Sequence, residues 1–203
     1  MTDNYAAIVR ENIRSLLETR SDIDILKCLP GRRKGDAFIF DAFGETCRIQ
    51  PDGIYLGEAQ QEGPVGIVLS LYALHARPFE CVLEPLKAFK DFPDSMPYVA
   101  AFAANTQNLL VPHVDRIRER SKEIITILDG QRIFSDIGGD FSFMVRPVPK
   151  IALSYIIYEA DEDFPASVTC LFSNNAPAFL PMDGLADLGE YTSKKILEII
   201  EVE

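Results

Sequence analysis

The chain has 203 residues, 47% hydrophobic and 25% charged, a composition near the globular average that excludes disorder and low complexity. Twenty Lys and Arg against 31 Asp and Glu leave a formal charge of −11, which repels phosphate backbones and anionic bilayers. A chain this long buries roughly 70–75% of the surface its unfolded form exposes and needs no staple to fold. The N-terminus carries charges throughout and no signal-peptide core. No apolar run approaches the roughly 20 residues of a membrane span. Cys28, Cys47, Cys81 and Cys170 are scattered and form no C-x-x-C pair. A soluble, cytoplasmic protein with reduced thiols is expected, with Cys47 and Cys170 in its core.

Ala6, Val9, Ile13, Leu16 and Leu17 recur at steps of three and four, predicting a helix over residues 3–20 with Asp3 as its N-cap. Ser21-Asp22 restarts a short helix, with Ile23, Ile25 and Leu26 inward, that Pro30-Gly31 stops. Ala37–Phe40, Thr46–Gln50 and Ile54–Leu56 are strands of a three-stranded meander, separated by turns at Phe43-Gly44-Glu45 and Pro51-Asp52-Gly53. Gly63-Pro64 opens a helix whose broad apolar face ends at Arg77-Pro78, and Pro85 argues against one element over residues 80–94. The helix Pro97–Asn108 is rich in small residues (Ala100, Ala101, Ala103, Ala104), which permits a neighbour to approach closely. From Pro112, Val114, Ile117, Ser121, Ile124, Ile125 and Leu128 line one long amphipathic helix that Asp129-Gly130 terminates.

Asp140–Arg146 alternates as a strand until Pro147 and Pro149 break it. Ile151–Tyr158 is a near-continuous apolar run, the pattern of a central strand buried on both faces. After the acidic stretch Glu159–Asp163 comes a further apolar segment to Phe172, then a helix capped by Asp183 with Leu185, Leu188, Ile196, Ile199 and Ile200 inward. Gly189 inside that helix costs about 1 kcal/mol against alanine, which points to a close neighbour there. The expected class is α+β: a single domain over residues 1–203, with a mostly antiparallel or mixed sheet assembled from N-terminal and C-terminal strands, helices between, and a C-terminal helix.

The succession Gly138–Phe143 (G-G-D-F-S-F), a proline pair, an apolar strand, Tyr158–Pro165 (Y-E-A-D-E-D-F-P) and Leu171–Pro181 resembles an uncharacterised domain family of anaerobic bacteria and archaea. Phe43, Gly44, Cys47 and Gly53 sit where that family has a two-strand segment, so the resemblance covers roughly residues 5–200. The sequence departs from the family pattern at Tyr158 and Ala160, where Trp and Gly would precede the acids. Some relatives are joined to iron–sulfur modules; this chain lacks the cysteine array, so cluster binding does not carry over. The resemblance transfers no functional residue and implies a cytoplasmic accessory protein of an anaerobe.

Among candidate sites the acidic stretch is the strongest. Glu159, Asp161 and Asp163 alternate, so in an extended chain their carboxylates share one face and suit a hard divalent cation, although the spacing is not that of an EF-hand. The competing reading is a solvated turn that keeps a sheet rim charged. Asp136 and Asp140 flank Gly138-Gly139, a pair that either lets backbone approach a ligand or simply turns the chain. Asn174 and Asn175 belong to a polar loop that either closes over the acids or connects elements. His75 and His113 are not at metal-ligand spacing and suit structural roles, His75 at the carbonyl end of a helix. Arg32, Arg33 and Lys34, placed in a loop, would form an anion patch only together with Arg116, Arg118, Arg120 and Lys122; without interleaved aromatics, and against −11 overall, nucleic acid is disfavoured.

No phosphate-loop or dinucleotide fingerprint occurs. The favoured expectation is a non-catalytic ligand-binding or accessory module, holding a small molecule or protein segment between the sheet and the helices Val65–Ala76 and Pro97–Asn108. The alternatives are a divalent-metal-dependent enzyme using residues 159–163 and a module acting through its surface.

Overall fold

The computed structural model describes residues 2–133 and 138–202; Asp136, one of the glycine-flanking acids, lies outside them. Helix α1 (Thr2–Thr19) buries Ala6, Val9, Ile13 and Leu16, the stripe expected from their spacing, and starts one residue before the expected cap Asp3. Ser21 caps α2 (Asp22–Cys28) by accepting from the Asp24 amide at 3.3 Å. Ile25 is buried in α2, but Ile23 points outward and is exposed, because seven residues make only two turns and one inward face.

The meander has five strands rather than three: β1 (Arg32–Lys34), β2 (Ala37–Ala42), β3 (Glu45–Gln50), β4 (Gly53–Leu56) and β5 (Ala59–Gln60), paired in chain order and all antiparallel. The basic residues assigned to a loop are thus the edge strand β1, where three charged side chains discourage pairing with another chain. Pro64 opens α3 (Pro64–His75) from the N-cap Gly63. The carbonyl end of α3 is gripped by Arg20, which donates to Leu74 O at 2.5 Å and Ala76 O at 2.9 Å; His75 is exposed and does not take that part.

After α3, strand β6 (Lys87–Ala88) leads through two 3₁₀ turns into α4 (Val99–Phe102), which passes without interruption into a π-helical segment, Ala103–Asn108. The single helix expected from Pro112 to Asp129 is two, α5 (Val114–Glu119) and α6 (Ser121–Ile127), broken at Arg120. Its inner face is as read: Val114, Ile117, Ser121, Ile124 and Leu128 are buried. The break places Arg120 so that Nε donates to Glu123 at 2.6 Å and the guanidinium reaches the carbonyl of Val202 at 2.7 Å.

Strands β7 (Gln131–Arg132), β8 (Phe141–Val148), β9 (Ile151–Tyr158) and β10 (Ser167–Phe172) join β6 in a second antiparallel sheet, ordered β6-β10-β9-β8-β7. The α+β class therefore holds, but the N-terminal and C-terminal strands form two sheets instead of sharing one. Strand β8 runs past Pro147 because an irregularity between Val145 and Val148 absorbs the proline, whose carbonyl accepts from the Phe43 amide at 2.7 Å and so ties the two sheets together. The turn after β8 carries Lys150, only 3% exposed, which donates to the carbonyls of Lys27 at 2.9 Å and Arg77 at 3.1 Å.

Central strand β9 is buried along all but its last residue, as its apolar run requires. Phe143, Tyr155 and Cys170 stand opposite one another across β8, β9 and β10, on the face toward α7 (Met182–Glu201). There Tyr155 Oη lies 3.1 Å from Ser193 Oγ, and Ser193 Oγ donates to Thr106 O at 2.8 Å. A serine hydroxyl has one proton, so Tyr155 is the donor to Ser193. This chain of bonds fixes the sheet, α7 and the π-helical segment relative to one another. One continuous buried cluster runs from α1 and the meander through α3 to the second sheet and α7.

Candidate functional site

The acidic stretch leaves the end of β9 and is stabilised by its own backbone. Asp161 Oδ1 accepts from the amides of Asp163 at 2.8 Å and Phe164 at 2.7 Å, while its amide donates to Phe164 O at 2.9 Å. Asp140 Oδ2 accepts from the Glu159 amide at 2.7 Å. The Glu159 carboxylate is paired with Arg118, whose guanidinium also lies 5.5 Å from the centre of the Phe141 ring. Asp140, Glu159 and Asp161 therefore share one open hollow of about 490 Å³ with Tyr158 and Phe164, whereas Asp163 does not line it. Two of its carboxylates are engaged by backbone amides and the third by an arginine. Among the described residues no group of three or more His, Cys, Asp or Glu side chains is arranged to hold a metal ion.

Asn174 and Asn175 are not part of that hollow. The register of β9 and β10 pairs Tyr158 with Ser167 and Leu153 with Phe172, so the asparagines follow the opposite end of the strand pair. Asn175 Oδ1 accepts from the Val82 amide and its Nδ2 donates to Glu80 O, both at 2.8 Å; Asn174 Nδ2 donates to Pro85 O at 2.9 Å. The two side chains pin the segment 80–85, which has no regular structure of its own, alongside the end of β10. The basic residues do not assemble either. Arg33 pairs with Asp22, Arg116 donates to Ile200 O, Arg118 pairs with Glu159, and Arg120 grips Glu123.

A cleft of about 590 Å³ lies between the β2–β3 turn, the end of α6 and the β8–β9 turn. Its rim carries Asp41, Glu45 and Asp129 with Arg146, a mainly hydrophilic hollow unlike the apolar enclosures that hold small molecules. A smaller cleft of about 280 Å³ has a mixed apolar and polar lining. It is bounded by β10, by the chain from Ala88 to Lys90, and by the helical stretch Val99–Gln107. Phe89 and Phe102 stack in its wall with ring centres 4.4 Å apart, and Phe102 is backed by Phe172 at 5.5 Å.

The cleft exists because β6 pairs with only Leu171 and Phe172, leaving the rest of the β10 edge without a neighbouring strand among the described residues. Gln107 fills part of the gap: its Oε1 accepts from the Cys170 amide at 2.9 Å. Helices carry such π-helical turns disproportionately at functional sites, and here the wide turn presents Gln107 to the sheet while Phe102 and Thr106 pack on α7. The packing partner is Gly189, where an added Cβ would lie 2.6 Å from Phe102 Cε2. The close approach read from Gly189 is thus real. Of the alanines that permit a neighbour to approach this helix, Ala100, Ala101 and Ala104 are exposed and only Ala103 lines the cleft. Helix α3, expected as a second wall, packs on α1 and α7 instead.

Cys170 contributes backbone rather than a reactive thiol, because burial pushes its thiol well above the ordinary range. Burial does the same for Cys47, and all four cysteines are free. Gln107, Thr169 and Lys90 escaped the sequence reading. Its only signal was the polar run Asn105–Asn108 closing an alanine-rich helix, since nothing local links Gln107 to Thr169.

The fold is that of an α+β chain with two antiparallel sheets, with a hollow of about 280 Å³ at the edge of the second. The chain belongs to a family described as a domain of unknown function, DUF3786, whose profile matches residues 24–195. The match takes in both sheets and every wall of the cleft. No curated protein and no solved structure matches the chain. Among the described residues no helix is long and apolar enough to cross a membrane.

Proposed function

We propose that the protein is a non-catalytic, cytoplasmic ligand-binding or accessory module whose ligand occupies the cleft between the β10 edge and the helical stretch Val99–Gln107. The observation that carries this reading is the cleft itself: a hollow of mixed lining, with a stacked aromatic wall and a few polar groups, at an unpaired sheet edge. The four free thiols accord with a reducing compartment. Catalysis by the acidic stretch has less support, because Asp161 is already engaged by amides and Glu159 by Arg118. A surface role has less support too: Met96, Phe164, Ile23 and Val202, the most exposed large apolar side chains among the described residues, lie on well-separated segments of the sequence.

Native mass spectrometry of the full chain, purified without chelators or oxygen, tests the proposal. The expected result is a retained small molecule that is lost on Ala103→Leu, a substitution that fills the cleft from its helical wall. A bare mass, or a retained mass that Ala103→Leu leaves in place, overturns it.

A further inference from the structure

We infer that the cleft selects a small organic anion, an apolar or aromatic body bearing a carboxylate, an inference that rests on the ligand-binding reading above. The chain as a whole is strongly acidic, and four other clefts each have at least one carboxylate in their lining. This one has none, and Lys90 stands in its lining instead.

Its remaining polar groups also favour an acceptor. The Cys170 amide fixes the orientation of the Gln107 carboxamide by donating to Oε1, so the Gln107 Nε2 group is left with two protons and no protein partner among the described residues. The Thr169 hydroxyl likewise has none. Lys90, Gln107 and Thr169 thus put three side chains with donor groups among the lining residues, and a carboxylate supplies four lone-pair sites in one plane. The apolar remainder of such a ligand lies against the Phe89–Phe102 stack. A volume of about 280 Å³ equals roughly nine waters' share of the liquid, enough for a single-ring acid and too little for a dinucleotide.

The test is an amide-resolved NMR titration of the full chain with three probes of one shape: phenylacetate, phenylacetamide and phenethylamine. Phenylacetate is expected to shift the Gln107 side-chain NH₂ and Thr169 amide signals and to bind about fivefold or more tighter than the amide, with the amine weakest. Lys90→Gln should weaken phenylacetate up to about fivefold, as for an exposed ion pair, and leave phenylacetamide unchanged. Binding in the cleft with the amine equal to or stronger than the acid, or an unaltered acid affinity in Lys90→Gln, overturns the anion assignment and leaves the cleft reading standing. If none of the three probes shifts Gln107 or Thr169, both the assignment and the cleft reading fall.

Discussion

Replacing Gly189 by alanine tests the packing that holds the cleft wall in place. On helix propensity alone the change stabilises by about 1 kcal/mol. The new methyl carbon, however, would stand 2.6 Å from Phe102 Cε2, 2.9 Å from Thr106 Oγ1 and 3.1 Å from Thr106 Cγ2. Phe102 cannot swing aside freely, because it stacks on Phe89 and touches Phe172. Thr106 is fully buried and its carbonyl is held by Ser193. Overpacking of this kind costs about 1–3 kcal/mol, so the net expectation is a loss of about 1 kcal/mol. In a chain of this size that lowers the melting temperature by about 2–4 °C. Urea and thermal unfolding measure it, with Ala7→Gly on the exposed side of α1 calibrating the propensity contribution. A Gly189→Ala protein that melts higher than the parent would refute the contact.

Asn175→Ala removes both bonds that pin Glu80 and Val82; the expected cost is about 1 kcal/mol, and limited proteolysis should cut within 79–85 faster, with an unchanged cleavage rate counting against the pinning. The carboxyl group of Asp187 is held above its ordinary range first by burial and then by the charges of Glu190 and Asp183. The folded state therefore keeps a proton that the unfolded state has released, and stability falls as pH rises from the ordinary carboxylate range through the raised value. Asp187→Asn should accordingly raise the melting temperature at pH 7, with the gain vanishing as the pH falls to about 4; a gain independent of pH would show the charge to be irrelevant. Thiol labelling of the native protein should reach half-buried Cys81 first and spare Cys47 and Cys170, which burial keeps protonated; labelling of Cys170 at the rate of Cys81 would contradict its position.

Long, strongly periodic segments were legible because each carries its own burial pattern. The stripe of α1, the run of β9 and the inner face of α7 fall where the spacing of Val9, Tyr155 and Leu188 puts them. The edge strands β1, β5, β6 and β7 were not legible. Two or three residues cannot show alternation, and their pairing depends on a partner that sequence does not identify. The break at Arg120 was hidden for another reason: Ile117, Ser121 and Ile124 keep helical spacing across it, so one continuous helix and two broken ones share an inner face. Of the expected site residues, the alternation of Glu159, Asp161 and Asp163 presumed an extended chain. Asp161 instead folds its oxygen back onto the Asp163 and Phe164 amides and makes a turn. The cleft depends on how far β6 extends along β10, which is a matter of topology.

The division of the strands into two sheets also orders events in time. Strands β1 to β5 each pair with the next in the chain, so every turn of the meander closes over a few residues at small entropic cost. Strand β6 must wait for Leu171 and Phe172, and the wall built by Phe102 and Thr106 must wait for Gly189. On the ribosome, where N-terminal segments emerge first, the meander is able to form while the cleft still lacks β10, Gln107 has no strand edge to cap, and the aromatic stack has no floor.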